Sequence, residues 1–139
     1  MTTLAYNHAD KEFACDSQPT SGNIRGADMD KWVNLQDGKV FITGDVAKAL
    51  RLISQMSNGE ELDPALFEDV TLIVVSKGKV IEYLGPIGLN VKRNWAWGSG
   101  RELALGAMAA GATAASAVNI AKKYDINTGG KVHSFSTKG

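Results

Sequence analysis

The chain begins Met-Thr-Thr, so removal of the first methionine would leave a threonine hydroxyl beside a free α-amino group. A threonine hydroxyl is a poor nucleophile until a neighbouring base accepts its proton, and an amine on the same residue lies only a few bonds away. The ordinary α-amino pKa of about 7.7–8.0 leaves such an amine nearly poised at neutral pH. Small residues are also common at position two for translational reasons, so Thr2 alone admits both interpretations. Thr3 is expected to matter less, because its nitrogen stays in an amide and cannot act as a base.

The composition disfavours a metal site, a disulfide bond and a polyanionic partner. Cys15 is the only cysteine, which excludes an internal disulfide and a thiolate metal cage and fits a reducing compartment. His8 and His133 are the only histidines and lie far apart in sequence, so a histidine metal site would need several carboxylates. The formal net charge is zero, which indicates neither nucleic acid nor an anionic membrane as a partner. We expect no metal and no cofactor.

One uncharged stretch, Leu103–Ala121, has the length of a membrane span. It consists mostly of alanine and glycine, whereas only Leu, Ile, Val and Phe gain appreciably from a bilayer, by about 0.3–0.6 kcal/mol each. Gly111 and Thr113 resemble a junction between two shorter helices. No secretory signal is visible at the start, which lacks a basic region. We therefore expect two short helices here and a cytoplasmic protein.

The 139 residues suit one domain, expected over residues 1–139. The predicted strands are Thr3–Tyr6, Lys11–Cys15, Trp32–Leu35, Lys39–Thr43, Val70–Val75, Lys79–Leu84, Asn94–Trp97 and Lys131–Ser136. The predicted helices are Asp45–Met56, Gly100–Ala110 and Thr113–Tyr124, with one helical turn near Pro64. The apolar run Val70–Val75 predicts burial on both faces, and Asn94–Trp97 is expected to complete the same sheet. Grouped strands favour an α+β architecture over a doubly wound sheet.

The late motif GSGRELALGAMAAG…AKKYDINTGGKV combines a Gly-Ser-Gly turn into a helix, a second helix, and an Asp followed by Thr-Gly-Gly and a strand. This order resembles the proteasome β-subunit family, which includes the bacterial ATP-dependent threonine peptidase and whose members are N-terminal nucleophile hydrolases. Mature chains of that family begin with Thr, often Thr-Thr, followed by a strand and an Asp-x-x-x-Thr-x-Gly segment, here residues 16–22. The stretch DGKVFITGDVAKAL is similar to the family's glycine-containing strand end and first helix. The resemblance covers nearly the whole chain and implies a four-layer αββα sandwich.

The resemblance also implies a role for individual positions. It makes Thr2 the nucleophile and the source of the amine, Lys31 the electrostatic partner of that amine, and Asp16 the anchor of the lysine. It assigns the oxyanion hole to the backbone N–H of Gly44. An outer network that positions the α-amino group and a water would consist of Ser99, Asp125 and Thr128.

Each position also has a plain structural interpretation. Asp16 could bond its own backbone as a turn residue, and Lys31 could be a solvated lysine at the start of a strand. Ser99 could cap the following helix, which is compatible with catalysis. Asp125 could end the second helix, and Gly129-Gly130 is a stop signal expected in any fold.

The resemblance implies a threonine peptidase that cleaves peptides or unfolded proteins and assembles into a homo-oligomeric ring, with an ATPase unfoldase as a further partner. Candidate interface residues are Trp95, Trp97 and Phe67. Two alternatives stay open: a catalytically silent structural protein with the same fold, and an amide hydrolase of the same superfamily that acts on a small molecule. The segment Gly59–Asp69 is too short for the family's second long helix. Compact phage-encoded relatives exist, so a phage source, with action in the host cytoplasm, fits this compactness.

Overall fold

The computed structural model describes residues 2–18, 20–21, 24–27 and 29–138, so Met1, Pro19 and Gly22 lie outside the described residues. Its strands are β1 (Thr3–Asn7), β2 (Glu12–Cys15), β3 (Thr20–Ser21), β4 (Ile24–Arg25), β5 (Trp32–Leu35), β6 (Gly38–Gly44), β7 (Val70–Ser76), β8 (Lys79–Tyr83), β9 (Gly88–Asn90), β10 (Trp95–Gly98) and β11 (His133–Ser136). Its helices are α1 (Val46–Ser57), α2 (Arg101–Ala109) and α3 (Ala114–Tyr124), with a 3₁₀ turn at Pro64–Phe67. The chain divides into two compact units. The first contains the described residues up to Lys31 together with Lys92–Lys138, and the second is Trp32–Val91.

The first unit contains an antiparallel sheet in the order β10-β1-β2-β11. In this sheet β1 pairs with β2, with Leu4 opposite Cys15, and also with β10, with Thr3 opposite Gly98. The prediction that Asn94–Trp97 completes the sheet of Val70–Val75 is therefore wrong. The apolar pattern identified a strand there, but its partner lies about ninety residues earlier in the chain, and only tertiary contacts select it.

Helices α2 and α3 pack against one face of this sheet through small side chains. Ala5, Ala14 and Ala96 of the sheet form one buried cluster with helix residues that include Ala117 and Ala121. Short alanine side chains let the helix backbones approach the sheet closely, which explains the unusual composition of this stretch. The helices meet at the predicted junction around Gly111, whose φ is 106°. Within the described residues, no helix has both the length and the apolar character needed to cross a membrane.

The aromatic side chains proposed as interface anchors are largely used within the chain itself. Trp97 is 5% exposed and stacks on Phe13, with ring centroids 5.8 Å apart. Phe67 is 8% exposed and belongs to the core of the second unit. Trp95 is half-buried, and the Arg93 guanidinium lies over its ring at 4.3 Å. The prediction that Trp97 and Phe67 anchor an interface is therefore wrong, because both side chains already fill core positions.

The second unit is a five-stranded antiparallel sheet in the order β5-β6-β7-β8-β9, with α1 packed against it. Helix α1 begins after Asp45, whose carboxylate accepts a hydrogen bond from the Lys48 backbone N–H at 3.1 Å. The adjacent strand residues Leu72 and Ile73 are both fully buried. Adjacent strand residues point to opposite faces, so the predicted burial of both faces of β7 is confirmed.

Between α1 and β7 the chain forms only the 3₁₀ turn Pro64–Phe67, as the sequence predicted around Pro64. The Asp63 carboxylate accepts a hydrogen bond from the Ala65 backbone N–H at 3.0 Å and starts this turn. No long helix occurs among residues 59–69, all of which the structure describes. The strands and helices are segregated along the chain, so the α+β class is confirmed.

Candidate active site

Asp16 follows β2 directly, and its side chain is completely buried. Oxygen Oδ1 accepts hydrogen bonds from the Thr3 backbone N–H at 3.1 Å and from Lys31 Nζ at 2.9 Å, and Oδ2 accepts one from the Gly129 backbone N–H at 3.1 Å. A buried carboxylate is tolerated only when it is paired in this way. All three donors are distant in sequence, so the carboxylate does not serve a local turn.

Lys31 precedes β5 and is 8% exposed, so it is not a solvated lysine. Burial lowers its pKa, and the neighbouring charge of Asp16 acts in the opposite direction without reversing the shift. Oδ1 of Asp16 links the ammonium to the Thr3 nitrogen, which is the peptide nitrogen bonded to the Thr2 carbonyl carbon. The ion pair is therefore hydrogen-bonded to the backbone immediately after Thr2.

Thr2 lies just before β1 and is 9% exposed. Its carbonyl oxygen accepts a hydrogen bond from the Ser99 backbone N–H at 2.8 Å and lies 3.5 Å from the Ser99 hydroxyl oxygen. Gly98 has a φ of 93°, and a Cβ there would lie 1.7 Å from the Thr2 oxygen, so only glycine fits this approach. The Thr2 backbone is thus held through its carbonyl by Ser99 and through the following nitrogen by Asp16.

A second polar network surrounds Asp125. Its Oδ2 accepts hydrogen bonds from the Ser99 hydroxyl at 2.5 Å and the Thr128 hydroxyl at 2.6 Å, and its Oδ1 accepts one from the Asn127 N–H at 3.1 Å. Burial raises the pKa of Asp125, but these hydrogen bonds and the positive charge of the N-terminal amine together outweigh burial, and the net pKa is lower than usual. Asp125 also ends α3, since its N–H donates to the Ala121 carbonyl at 2.8 Å. Helix termination and membership of the network are both present.

The loop after α3 is joined to the segment after β2. The Ser17 hydroxyl donates to the Lys131 carbonyl at 2.7 Å, and the Gln18 amide donates to the Ile126 carbonyl at 3.1 Å. A Cβ on Gly129 would lie 2.0 Å from the Gln18 side-chain oxygen. Gly129 is therefore more than a helix stop signal, because it brings its N–H to Asp16. Sequence reasoning missed this role, and the Gly129-Gly130 pair was the only signal for it.

Thr3, which the sequence predicted to be less important than Thr2, is completely buried and belongs to both networks. Its N–H donates to Asp16, its hydroxyl oxygen lies 2.5 Å from that of Thr128, and it accepts the Gly100 N–H at 3.1 Å. Apart from its position next to Thr2, no sequence signal marks this residue.

Of the positions predicted for the site, all except Gly44 fall in the first unit. Gly44 is at the exposed end of β6 in the second unit and has a φ of 96°. Cys15 is buried, and burial, together with the charge of Asp16, raises its pKa to about 12, so it is a poor nucleophile. In the part of the chain that the structure describes, no group of three or more His, Cys, Asp or Glu side chains is placed to hold a metal ion.

Comparison with protein-family models gives no match, and neither does comparison with curated proteins. Solved structures do match. Thiobacillus denitrificans BPH in complex with epoxomicin is similar with a TM-score of 0.75 at 19% identity, over 96% of this chain and 97% of that chain. A second structure of BPH from this organism gives a TM-score of 0.71 at 19% identity, over 96% and 95%. Eukaryotic HslV from Trypanosoma brucei gives 0.74 at 22% identity, over 96% and 98%.

These likenesses extend over nearly the whole chain, and at this level of identity they establish the fold. The chain has the fold of HslV and of other proteasome β-type proteins. The α+β sandwich implied by the sequence motifs is confirmed.

Proposed function

We propose that this chain, with its proteasome β-type fold, is a threonine-type N-terminal nucleophile peptidase that hydrolyses peptide bonds. One observation carries the proposal: the buried Asp16–Lys31 ion pair, whose carboxylate also binds the peptide nitrogen directly after Thr2. A buried ion pair is weak support for stability, because desolvation of two charges offsets their attraction. Its position beside the candidate nucleophile favours an electrostatic role in catalysis.

In the proposed reaction, removal of Met1 first gives Thr2 a free α-amino group. That amine accepts the hydroxyl proton of Thr2 while Oγ1 attacks the carbonyl carbon of the substrate peptide bond. The C–N bond then breaks, the leaving amine takes the proton, and an ester joins Thr2 to the acyl fragment. A water, deprotonated by the same amine, attacks this ester, releases the acid and restores the hydroxyl.

The charged residues tune the amine in this scheme. The Lys31 ammonium lowers the pKa of the Thr2 α-amine by like-charge repulsion, so more of the amine is unprotonated at neutral pH. Asp16 holds Lys31 in place and keeps it charged. The backbone N–H of Gly44 is assigned to the oxyanion, a contribution of about 2.7–4 kcal/mol for a typical donor. Ser99, Asp125 and Thr128 are assigned to positioning the α-amine and the water, which is supported by the Ser99 hydrogen bonds to Thr2 and Asp125.

We extend the proposal to the setting in which the reaction occurs. The likeness to HslV and BPH supports peptides or unfolded proteins as substrates and self-association into a ring. Residues 1–139 would act as one domain in each subunit. An ATPase unfoldase is a further candidate partner, and the cytoplasm, that of the host for a phage protein, is the proposed location.

Epoxomicin provides the test, because the similar BPH structure contains this compound. Protein whose intact mass shows that Met1 is absent is incubated with epoxomicin, and peptide mapping locates the adduct. We expect one equivalent on the N-terminal peptide and loss of hydrolysis of a fluorogenic peptide. Thr2→Ala should abolish the adduct, whereas the matched variant Thr2→Ser keeps a hydroxyl and should retain it.

Cys15→Ala serves as the second control and should label like the wild type, because its thiol is buried and protonated. An adduct that survives in Thr2→Ala, or that is lost in Cys15→Ala, contradicts the proposal. Wild-type protein that lacks Met1 and forms no adduct favours the silent structural protein. Hydrolysis of small amides without hydrolysis of peptides favours the amide hydrolase.

A further inference from the structure

Thr3 forms hydrogen bonds with residues of both polar networks. Its backbone N–H donates to Oδ1 of Asp16, the same oxygen that binds Lys31. Its hydroxyl lies 2.5 Å from the Thr128 hydroxyl and 3.1 Å from the Gly100 nitrogen. Thr3 itself is completely buried, so water does not substitute for these partners.

The direction of these hydrogen bonds follows from counting protons. A hydroxyl carries one proton, and an ionised carboxylate can only accept. The Thr128 hydroxyl donates its proton to Asp125 at 2.6 Å, so the contact between the two threonine hydroxyls must use the proton of Thr3. The Thr3 oxygen in turn accepts the Gly100 N–H. The bonds therefore run in one direction, from Gly100 through Thr3 and Thr128 to Asp125.

Gly100 is adapted to this arrangement. A Cβ there would lie 2.2 Å from the Thr3 hydroxyl oxygen and 3.1 Å from that of Thr128. Only a glycine at the start of α2 lets its N–H approach Thr3 so closely. The start of α2 at Gly100 therefore constrains the position of the Thr3 hydroxyl, in addition to the strand that contains Thr3.

We propose that Thr3 is a positioning residue of the candidate active site, whose hydroxyl orients the Thr128 hydroxyl toward Asp125. The inference rests on the proposed function for the statement that this site is catalytic. The hydrogen bonds from Gly100 to Asp125 do not depend on the proposed function. Asp125 then holds the Ser99 hydroxyl, and Ser99 holds the Thr2 carbonyl. Thr3 thus acts on the nucleophile through its neighbours and contributes no reacting atom.

The consequence can be measured at Asp125. Burial raises the pKa of the Asp125 carboxyl, and the Ser99 and Thr128 hydroxyls, the Asn127 N–H and the positive charge of the N-terminal amine lower it. Lys31 also interacts with this carboxylate through its charge. When the Thr3 hydroxyl is absent, the Thr128 hydroxyl loses the donor that fixes its rotation. Its bond to Asp125 weakens, and the pKa of Asp125 rises.

The experiment compares Thr3→Val, which has nearly the same shape but no hydroxyl, with Thr3→Ser, which keeps the hydroxyl. Carbon-13 NMR of labelled aspartate follows the Asp125 carboxyl through an acid titration, with Asp125→Asn used for assignment. We expect the Asp125 pKa to rise by about 0.5–1 pH unit in Thr3→Val, the scale of one weakened hydrogen bond. Thr3→Ser should titrate like the wild type. A merely structural role for Thr3 would not separate these two variants in this way.

The rate of epoxomicin labelling is the second measurement. We expect Thr3→Val to label about tenfold more slowly, equivalent to one weakened hydrogen bond, and Thr3→Ser to recover most of the rate. An unchanged Asp125 pKa in Thr3→Val overturns the inference, whatever happens to labelling. A raised Asp125 pKa in protein that never labels supports the hydrogen-bond chain and rejects the peptidase. The two proposals therefore fail in different ways.

If Thr3→Val does not fold, the same link is measured from its other end. Thr128→Val and Thr128→Ser should repeat the contrast at Asp125, since Thr128→Val removes the hydroxyl that Thr3 orients. When Thr3→Val and Thr128→Val both fold, the variant that combines them should raise the Asp125 pKa no more than Thr128→Val alone. Additive shifts would mean that Thr3 acts by another route and would overturn the inference.

Discussion

Replacement of Asp16 by asparagine removes a charge from the centre of the candidate site with almost no change in size. Three donors converge on this carboxylate: the N–H groups of Thr3 and Gly129 and the ammonium of Lys31. An asparagine offers one acceptor oxygen and one donor NH₂. In either orientation of the amide, at least one buried donor therefore faces another donor, and Lys31 loses its counter-charge.

The magnitude follows from the burial of the pair. The side chains of Lys31 and Asp16 are 7% and 0% exposed and lie 2.9 Å apart. Removal of one partner of such a buried ion pair typically costs about 3–5 kcal/mol. The penalty for the orphaned N–H, about 1–3 kcal/mol, overlaps with that value. We expect Asp16→Asn to lower the free energy of unfolding by about 3–5 kcal/mol and to abolish epoxomicin labelling.

Urea unfolding at pH 7 is the assay, and an exposed ion pair provides the matched control. Lys77 Nζ and Asp37 lie 3.9 Å apart, with side chains 77% and 63% exposed. Solvent screens this pair, so Asp37→Asn should change the free energy of unfolding by about 0.5 kcal/mol or less. If Asp16→Asn costs no more than Asp37→Asn, the assignment of Asp16 as the anchor of a buried charge is refuted.

A second substitution separates the charge from the hydrogen bonds. Lys31→Met added to Asp16→Asn removes the uncompensated ammonium, so the double variant should be more stable than the sum of the single losses predicts, by about 1 kcal/mol or more.

Raising the pH should also reduce the cost of the buried Lys31 charge, because it removes the proton from the ammonium. Burial lowers the Lys31 pKa below its ordinary 10.5, so the folded state binds fewer protons than the unfolded state between those two values. The contribution of Lys31 to stability therefore rises with pH across that window. If the stability losses of Asp16→Asn and Lys31→Met are strictly additive in the double variant, the charge argument is refuted.

Three further predictions concern neighbouring residues. The Cys15 thiol should react with a disulfide reagent only on unfolding. Because its pKa is raised from 9.0 to about 12, its contribution to stability is complete below pH 9.0 and declines as the pH rises toward 12. Cys15→Ala should remove this decline from the urea midpoints measured over that pH range. Asp125 has a lowered pKa, so its contribution is present above 3.8 and is lost as the pH falls through the folded value; Asp125→Asn should flatten this acid limb, and an unchanged limb would contradict the assignment. Gly129→Ala should destabilise the fold by about 1–3 kcal/mol, because its Cβ would lie 2.0 Å from the Gln18 oxygen, and Gln18→Ala should relieve most of that loss in thermal unfolding.

Local sequence determined most of the secondary structure and the identity of the candidate residues. Helix α3 could be placed because Thr113 is a capping residue whose hydroxyl accepts the Ser116 N–H, and α1 because Asp45 caps it in the same way. Such caps act over three or four residues, so a linear pattern contains them. The motifs around Asp16, Ser99 and Asp125 were equally visible, because each residue lies at an element boundary with a recognisable composition.

Tertiary structure alone decided which of these pieces meet. The strand Trp95–Gly98 pairs with β1 and not with the sheet of β7, and Trp97 is used in the core. The partners of Thr3 are Asp16, Gly100 and Thr128, at separations of 13, 97 and 125 residues. Contacts over such separations depend on how packed side chains and closed loops bring strands together, and no local periodicity encodes them. The sequence therefore predicted Thr2 as the candidate nucleophile, whereas only the fold shows that Thr3 forms hydrogen bonds with Asp16, Gly100 and Thr128.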